Sequence, residues 1–277
     1  MKNVALITGA SSGIGKELAK IHAAKSGDLV LVARRENELA ALKNSLESEY
    51  KISVLVISKD LSDTSTPAEI FAETEKLGIQ VEYLINNAGF GGHGFFYERE
   101  IEKDLAMVNV NITSLMLLTR LYLPGMVKRG TGRILNVSST ASFLPGPLQA
   151  VYYASKAFVT SFSQALTEEL KGTGVTVTAL CPGPVATEFF DTANMHGVKM
   201  LKTQKAMTPA KTAAIGYRDM IKGRLLSFDN GLLKFALNWL VPFTPRRWVL
   251  KVSRMTMEKK TQPPSYSPNG VRKEKTK

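Results

Sequence analysis

Tyr152 and Lys156, in the run Tyr152-Tyr153-Ala154-Ser155-Lys156, are the pair in this sequence best suited to moving a proton. Four-residue spacing places both on one face of a helix. An ammonium beside a phenol favours the phenolate, which predicts a tyrosine pKa drawn down toward the range where it exchanges a proton with a carbonyl oxygen. Composition alone would produce about 0.7 such pairs by chance, so the weight comes from position. The helix follows an apolar run, Arg133 to Val137, whose end carries Asn136-Val137-Ser138-Ser139. In an open α/β sheet that edge is where ligands bind.

A second chemical signal opens the chain. The apolar run Val4 to Ile7 leads directly into Thr8-Gly9-Ala10-Ser11-Ser12-Gly13-Ile14-Gly15, and a helical pattern starts at once. Glycines at 9, 13 and 15 permit a tight turn, close approach of a phosphate to the backbone and close helix-strand packing, while the helix start offers N–H groups to an anion. The TGxxxGxG spacing differs from the general GxGxxG fingerprint. The next apolar run ends in Val32-Ala33-Arg34-Arg35, where an acid would bind a ribose hydroxyl and repel a 2′-phosphate. Guanidinium forks bind phosphate instead. NADP(H) is therefore expected over NAD(H), with Arg34 the first choice and Arg35 the second. Asp60-Leu61 after the third run suits an adenine amino group, and Asn86-Asn87-Ala88-Gly89 after the fourth leaves room beside a ribose; Asn86 also reads as purely structural.

These groups need elements that hold them. Short runs rich in Val, Ile and Leu (4–7, 29–33, 54–57, 83–85, 133–137 and 175–180) alternate with longer helical patterns (15–26, 35–50, 67–77, 105–129 and 151–171). Unbroken apolar runs suit strands buried on both faces, so the alternation predicts an α/β fold: a doubly wound, Rossmann-type parallel sheet with helices on both faces. Residues 1–230 read as one domain, with a flap over about 185–222. A helical extension is expected over 231–260, started by a Thr244-Pro245 cap, and a disordered basic tail over 261–277. At 277 residues, with 44% apolar and 22% charged, the chain can bury a full core unaided. One cysteine and three scattered histidines exclude an internal disulfide and a zinc-type Cys/His cluster, so no metal is expected. The reducing composition and absent leader pattern give a cytoplasmic expectation.

Taken in order, TGASSGIG, Asp60-Leu61, NNAG, an asparagine before a long helix, NVSS, YxxxK and Pro182-Gly183 closely resemble the short-chain dehydrogenase/reductase family over about residues 4 to 190. The resemblance implies Tyr152 as general acid in carbonyl reduction, and Lys156 as holder of the nicotinamide ribose and depressor of the Tyr152 pKa. It implies Ser139, thirteen residues before the tyrosine, as the hydrogen-bond partner of the substrate oxygen. Asn111, preferred over Asn109, would anchor a proton relay through Lys156. Cofactor contacts carried over with it are Gly9, Ser11, Ser12, Gly13, Ile14, Gly15, Asn87, Ala88 and Gly89, then Pro182, Gly183, Val185 and Thr187. The expected activity is NADPH-dependent reduction of an apolar ketone or aldehyde by a homodimer or homotetramer. The alternatives are an NAD-linked alcohol or steroid dehydrogenase and a non-catalytic dinucleotide-sensing or membrane-associated scaffold.

The C-terminal residues stand apart. From Arg246 to the end there are ten Lys or Arg against two acids, out of a net charge of +12 for the chain. Trp248, Val249, Val252 and Met255 are expected on one face of a helix with Arg246, Arg247, Lys251 and Arg254 projecting around it, a pattern compatible with peripheral membrane contact. Without interleaved aromatics the tail carries no specific nucleic-acid signature, and no apolar run reaches the roughly 20 residues of a spanning helix.

Overall fold

The computed structural model describes residues 1–200 and 206–259; the expected basic tail lies outside them. The apolar runs become strands as read: β1 (Val4–Thr8), β2 (Leu29–Ala33), β3 (Val54–Ser58), β4 (Val81–Asn86), β5 (Gly132–Val137) and β6 (Val175–Leu180). All five residues of β1 and of β2 are buried, which is why these segments lack polar alternation. A two-residue β7 (Leu226–Ser227) completes a seven-stranded parallel sheet of order β3-β2-β1-β4-β5-β6-β7. The order reverses between β1 and β4, and the strand ends there open a crevice.

Helices cover both faces. On one, α1 (Gly13–Ala23) and α2 (Glu36–Tyr50) pack with α8 (Pro209–Ile221), bringing Leu18, Leu39, Tyr217 and Met220 onto the sheet. On the other, α3 (Thr66–Lys76) and α5 (Leu115–Arg129) contribute Ile70, Leu118, Tyr122 and Met126. The helix expected from 105 starts earlier: α4 (Ile101–Val108) runs through one π-helical segment, Asn109–Ser114, into α5. The continuous helix from Ile101 to Arg129 is long and apolar enough by composition to cross a membrane, contrary to the sequence reading. Its buried stripe is instead used against the sheet.

Two elements close the crevice. The long helix α6 (Ala150–Glu169) packs beside β5 and β6, and the short α7 (Phe189–Thr192) sits in the flap. Beyond β7 the chain forms α9 (Gly231–Phe235), a π-helical turn Ala236–Leu240, a 3-10 turn Val241–Phe243 and α10 (Arg246–Met257). The expected cap differs here. Pro245 itself occupies the capping position, and the Thr244 hydroxyl donates back to the Leu240 carbonyl at 2.9 Å. A third apolar cluster (Met107, Leu148, Tyr152, Met195, Val198 and Met257 among its members) ties α4, α6, the flap and the extension together around the crevice.

Candidate active site

The crevice is a cavity of about 870 Å³ that runs from Gly9 and Arg34 at one end to Val249 and Met257 at the other. It is large for a ligand pocket, and its two ends differ in chemistry. At the first end the loop after β1 sits against the end of β4. Thr8 Oγ1 accepts from the backbone N–H groups of Asn87 and Ala88 at 3.0 Å, and Asn87 Nδ2 donates to the Thr8 carbonyl at 2.9 Å. Gly9 has φ +66°, and a Cβ there would stand 2.9 Å from the Ala88 Cα. A Cβ on Gly15 would collide with the Gly9 carbonyl oxygen.

No side chain caps the first turn of α1. The Ser12 hydroxyl turns instead to Glu188 Oε2 at 3.2 Å, so the N-terminal N–H groups remain for an anion. These features fit the diphosphate of a dinucleotide. Gly9, Ser11, Ser12, Gly13 and Ile14 line the cavity, followed by Arg34, Arg35, Asp60, Leu61, Asn87, Ala88 and Gly89. Gly15, expected as a direct contact, does not line it. Its missing side chain serves the packing of α1 on the loop.

The two arginines are held differently. Arg35 donates from Nε and Nη2 to Ser11 Oγ at 3.2 and 3.1 Å and pairs with Glu188 at 3.0 Å, which holds the Glu188 carboxyl below its ordinary range. Among the described residues Arg34 makes only a long 3.7 Å pair with Asp60, and its side chain is 71% exposed. The more available guanidinium is therefore Arg34. Glu188 was missed by sequence reasoning, because nothing local in the sequence brings it across from the flap to the glycine loop.

At the centre, Tyr152 and Lys156 lie on the inward face of α6, both buried. Lys156 Nζ donates to the Val137 carbonyl at the end of β5 at 2.8 Å and lies 5.9 Å from the Tyr152 ring centre. Ser139 accepts from the Ala141 N–H at 3.1 Å and lines the cavity together with Tyr152. The neighbouring Ser138 is taken up by the Lys156 carbonyl and Thr160, leaving Ser139 as the serine of the site. Asn111 stands in the π-helical segment, where its Nδ2 donates to Ser155 Oγ and to the Phe90 carbonyl, each at 3.0 Å, and its Oδ1 accepts from the Phe90 N–H. It does not line the cavity. Asn109 points elsewhere, to the Ser62 carbonyl. Asn86 is structural, donating to Thr119 and Asn136 below the strand ends.

The pKa expectation needs correcting. Burial dominates and pushes the Tyr152 phenol up to about 12, with the Ser139 hydrogen bond acting in the opposite direction. Burial likewise draws Lys156 down to about 8. At neutral pH the site thus holds a protonated phenol beside an ammonium. That is the form of an acid. Cys181, buried near Thr160 and Lys156, is pushed up to about 12 and is no nucleophile.

The second end is apolar. Phe189 packs 5.1 Å from the Tyr152 ring, ring centre to ring centre, and Phe90, Leu144, Met195 and Leu237 continue the wall. Pro182, Gly183, Val185 and Thr187 line the cavity between the two ends. Gln149, which donates to Met195 Sδ at 3.2 Å, and the extension residues Leu233 and Ala236 also line it and carry no motif. His93 ties the loop before α4 to the extension through Met257 O at 2.7 Å. His22 sits far away in the core, between Tyr217 and the Asn3 carbonyl.

Comparison with known proteins adds the following. The family model described as short chain dehydrogenase matches residues 3–196. The very-long-chain 3-oxoacyl-CoA reductase of Rattus norvegicus is 38% identical over 189 residues, which are 66% of this chain and 60% of that protein. The chain thus spans well under two thirds of that relative's length. The Homo sapiens protein of the same name is 32% identical over 264 residues, 93% of this chain and 80% of its own length. A short-chain dehydrogenase from Sphingobium yanoikuyae, solved in complex with NADPH, superposes with a TM-score of 0.79 at 28% identity, covering 95% of this chain and 98% of that one.

Proposed function

The chain belongs to the short-chain dehydrogenase family, and from that premise we propose that it uses NADPH to reduce the carbonyl of a bulky apolar substrate to an alcohol. The observation that carries this reading is the buried Tyr152, with Ser139 beside it in the cavity wall and Lys156 one turn along α6, at the junction of a phosphate-fitting end and an apolar end of one cavity. NADPH, when bound, supplies the hydride. Ser139 and Tyr152 hold the carbonyl oxygen, and Tyr152 gives it a proton as negative charge develops there. The Lys156 ammonium offsets the charge left on the phenolate. Asn111 acts at one remove, fixing Phe90 and Ser155 around the catalytic helix. Arg34 reads the 2′-phosphate.

The names of the mammalian relatives and the aromatic wall together favour a long-chain 3-oxoacyl thioester over a small ketone. The test is NADPH consumption with 3-oxoacyl-CoA esters of increasing chain length beside short soluble ketones and steroids. Rising kcat/KM with chain length supports the reading. Turnover confined to short ketones removes the acyl substrate, and absence of any NADPH binding by calorimetry removes the reductase.

A further inference from the structure

The extension from Gly231 to Met257 contains five Lys or Arg and no Asp or Glu. It also holds both tryptophans of the chain. Among the described residues, its outer side exposes a disproportionate share of the large apolar side chains, with Leu232 at 80%, Phe243 at 82%, Trp239 at 64% and Trp248 at 66%. The inner side is fully used. Leu237, Val249, Ser253 and Met257 are buried, and all four line the apolar end of the cavity. Val249 therefore turns inward, apart from the exposed Trp248 and Val252 with which the helical reading shares a face. Along α10 the outward stripe is Trp248, Val252 and Met255, bordered by Arg247 and Lys251.

So many large apolar side chains exposed on one short extension mark an interaction surface. Its border selects the occupant. A protein partner's apolar face would leave the exposed cations of Lys234, Arg246, Arg247 and Lys251 unanswered, whereas an anionic lipid surface satisfies cations and apolar side chains together. Tryptophan is also the side chain that favours the boundary between headgroups and acyl chains. We propose that the extension lies in the surface of an anionic bilayer, Trp239, Phe243 and Trp248 entering the headgroup boundary and Arg247 and Lys251 meeting lipid phosphate. Trp248 and Val252 belong to the cavity wall and to the exposed stripe alike. The apolar end of the cavity therefore opens toward the membrane, and a lipid-soluble substrate enters without crossing water. This last step rests on the reductase reading; the docking itself does not.

Because the only tryptophans lie on this surface, their emission reports docking without a label. The full chain is titrated with phosphatidylcholine vesicles, with and without phosphatidylglycerol. The expected result is a blue shift and quenching by brominated acyl chains on the anionic vesicles, weakened by salt. Arg247→Gln with Lys251→Gln should lower the partition about fivefold per charge, and Leu232→Ser with Phe243→Ser roughly tenfold or more. None of these four residues lines the cavity, so turnover of a short soluble ketone should be unchanged. Unshifted emission on both vesicles, or equal binding to both, overturns the proposal. So does concentration-dependent self-association in sedimentation that Phe243→Ser abolishes, since a second copy would then cover the face.

Discussion

The two ends of the cavity are built on opposite terms. The end at β1, β2 and β4 holds its loops by short hydrogen bonds between neighbouring strand ends, as Thr8 with Asn87 and Ala88. The end at the extension is an apolar wall tied to the body around its rim, by His93 to Met257, Ser253 to the Pro145 carbonyl, Lys199 to Glu258 and the Arg254 guanidinium over the Phe95 ring. Where chemistry requires atoms at fixed distances, residue identity is prescribed. Where an apolar wall is enough, only composition is, and the outer surface is free to answer to something else.

The largest effect that would sharpen this contrast is loss of the central acid. Tyr152→Phe keeps the ring packed against Phe189 and removes only the proton, so kcat should fall by about 10²–10⁴ while NADPH affinity stays nearly unchanged in calorimetry. A mutant with wild-type turnover would place the acid elsewhere. Arg34→Ala comes next. Loss of a charge-assisted hydrogen bond to phosphate, about 1.5–3 kcal/mol, predicts a ten- to hundredfold weaker NADPH Kd with little change for NADH. Arg35→Ala should do less to selectivity and more to the flap, because Arg35 is already committed to Ser11 and Glu188. Equal loss for both cofactors in Arg34→Ala would show that this guanidinium does not read the 2′-phosphate.

This contrast also explains what was legible in the sequence. Six strands were read within a residue or two, because parallel strands buried on both faces leave unbroken apolar runs. Tyr152 and Lys156 were legible because one helix face fixes them, and Ser139 because family spacing separates it from Ser138. The π-helical segment that turns Asn111 inward and Asn109 outward leaves no periodic trace, so the choice between them came from family spacing alone. Glu188, Gln149 and the walls made by Leu233, Ala236 and Leu237 were invisible, since each reaches the site through long-range packing. The Tyr152 pKa went astray for a related reason. Four-residue spacing announces the lysine but not the burial that raises the phenol.

Charge acts differently at the catalytic centre and on the outer face of the extension. Lys156 is held near 8 by burial while Tyr152 stays protonated to about 12. The reduction rate should therefore be flat through neutrality and decline above about pH 8 as the ammonium is lost, approaching tenfold per unit if that charge is essential. The exposed cations of the extension should contribute a salt dependence instead. A rate that stays flat well past pH 9 would show that Lys156 keeps its proton in the working enzyme.

The smallest effect separates the regions by stability. Burial lowers both His22, in the core, and His93, at the extension. Below the ordinary imidazole value of about 6.5 the unfolded chain takes up protons that the folded chain resists, so stability present above that pH is lost as pH falls through it. For His22 the loss belongs to the whole sheet, because its ring joins α1 to Tyr217 of α8. For His93 it belongs to the tie with Met257 alone. Far-UV circular dichroism should then show a melting temperature that falls on acidification, and His22→Gln should flatten that fall. His93→Gln should leave the circular dichroism transition in place while shifting the acid response of the tryptophan emission, since both tryptophans ride on the extension. If the two signals moved together in both variants, the extension and the core would be one cooperative unit and the division between them would fail.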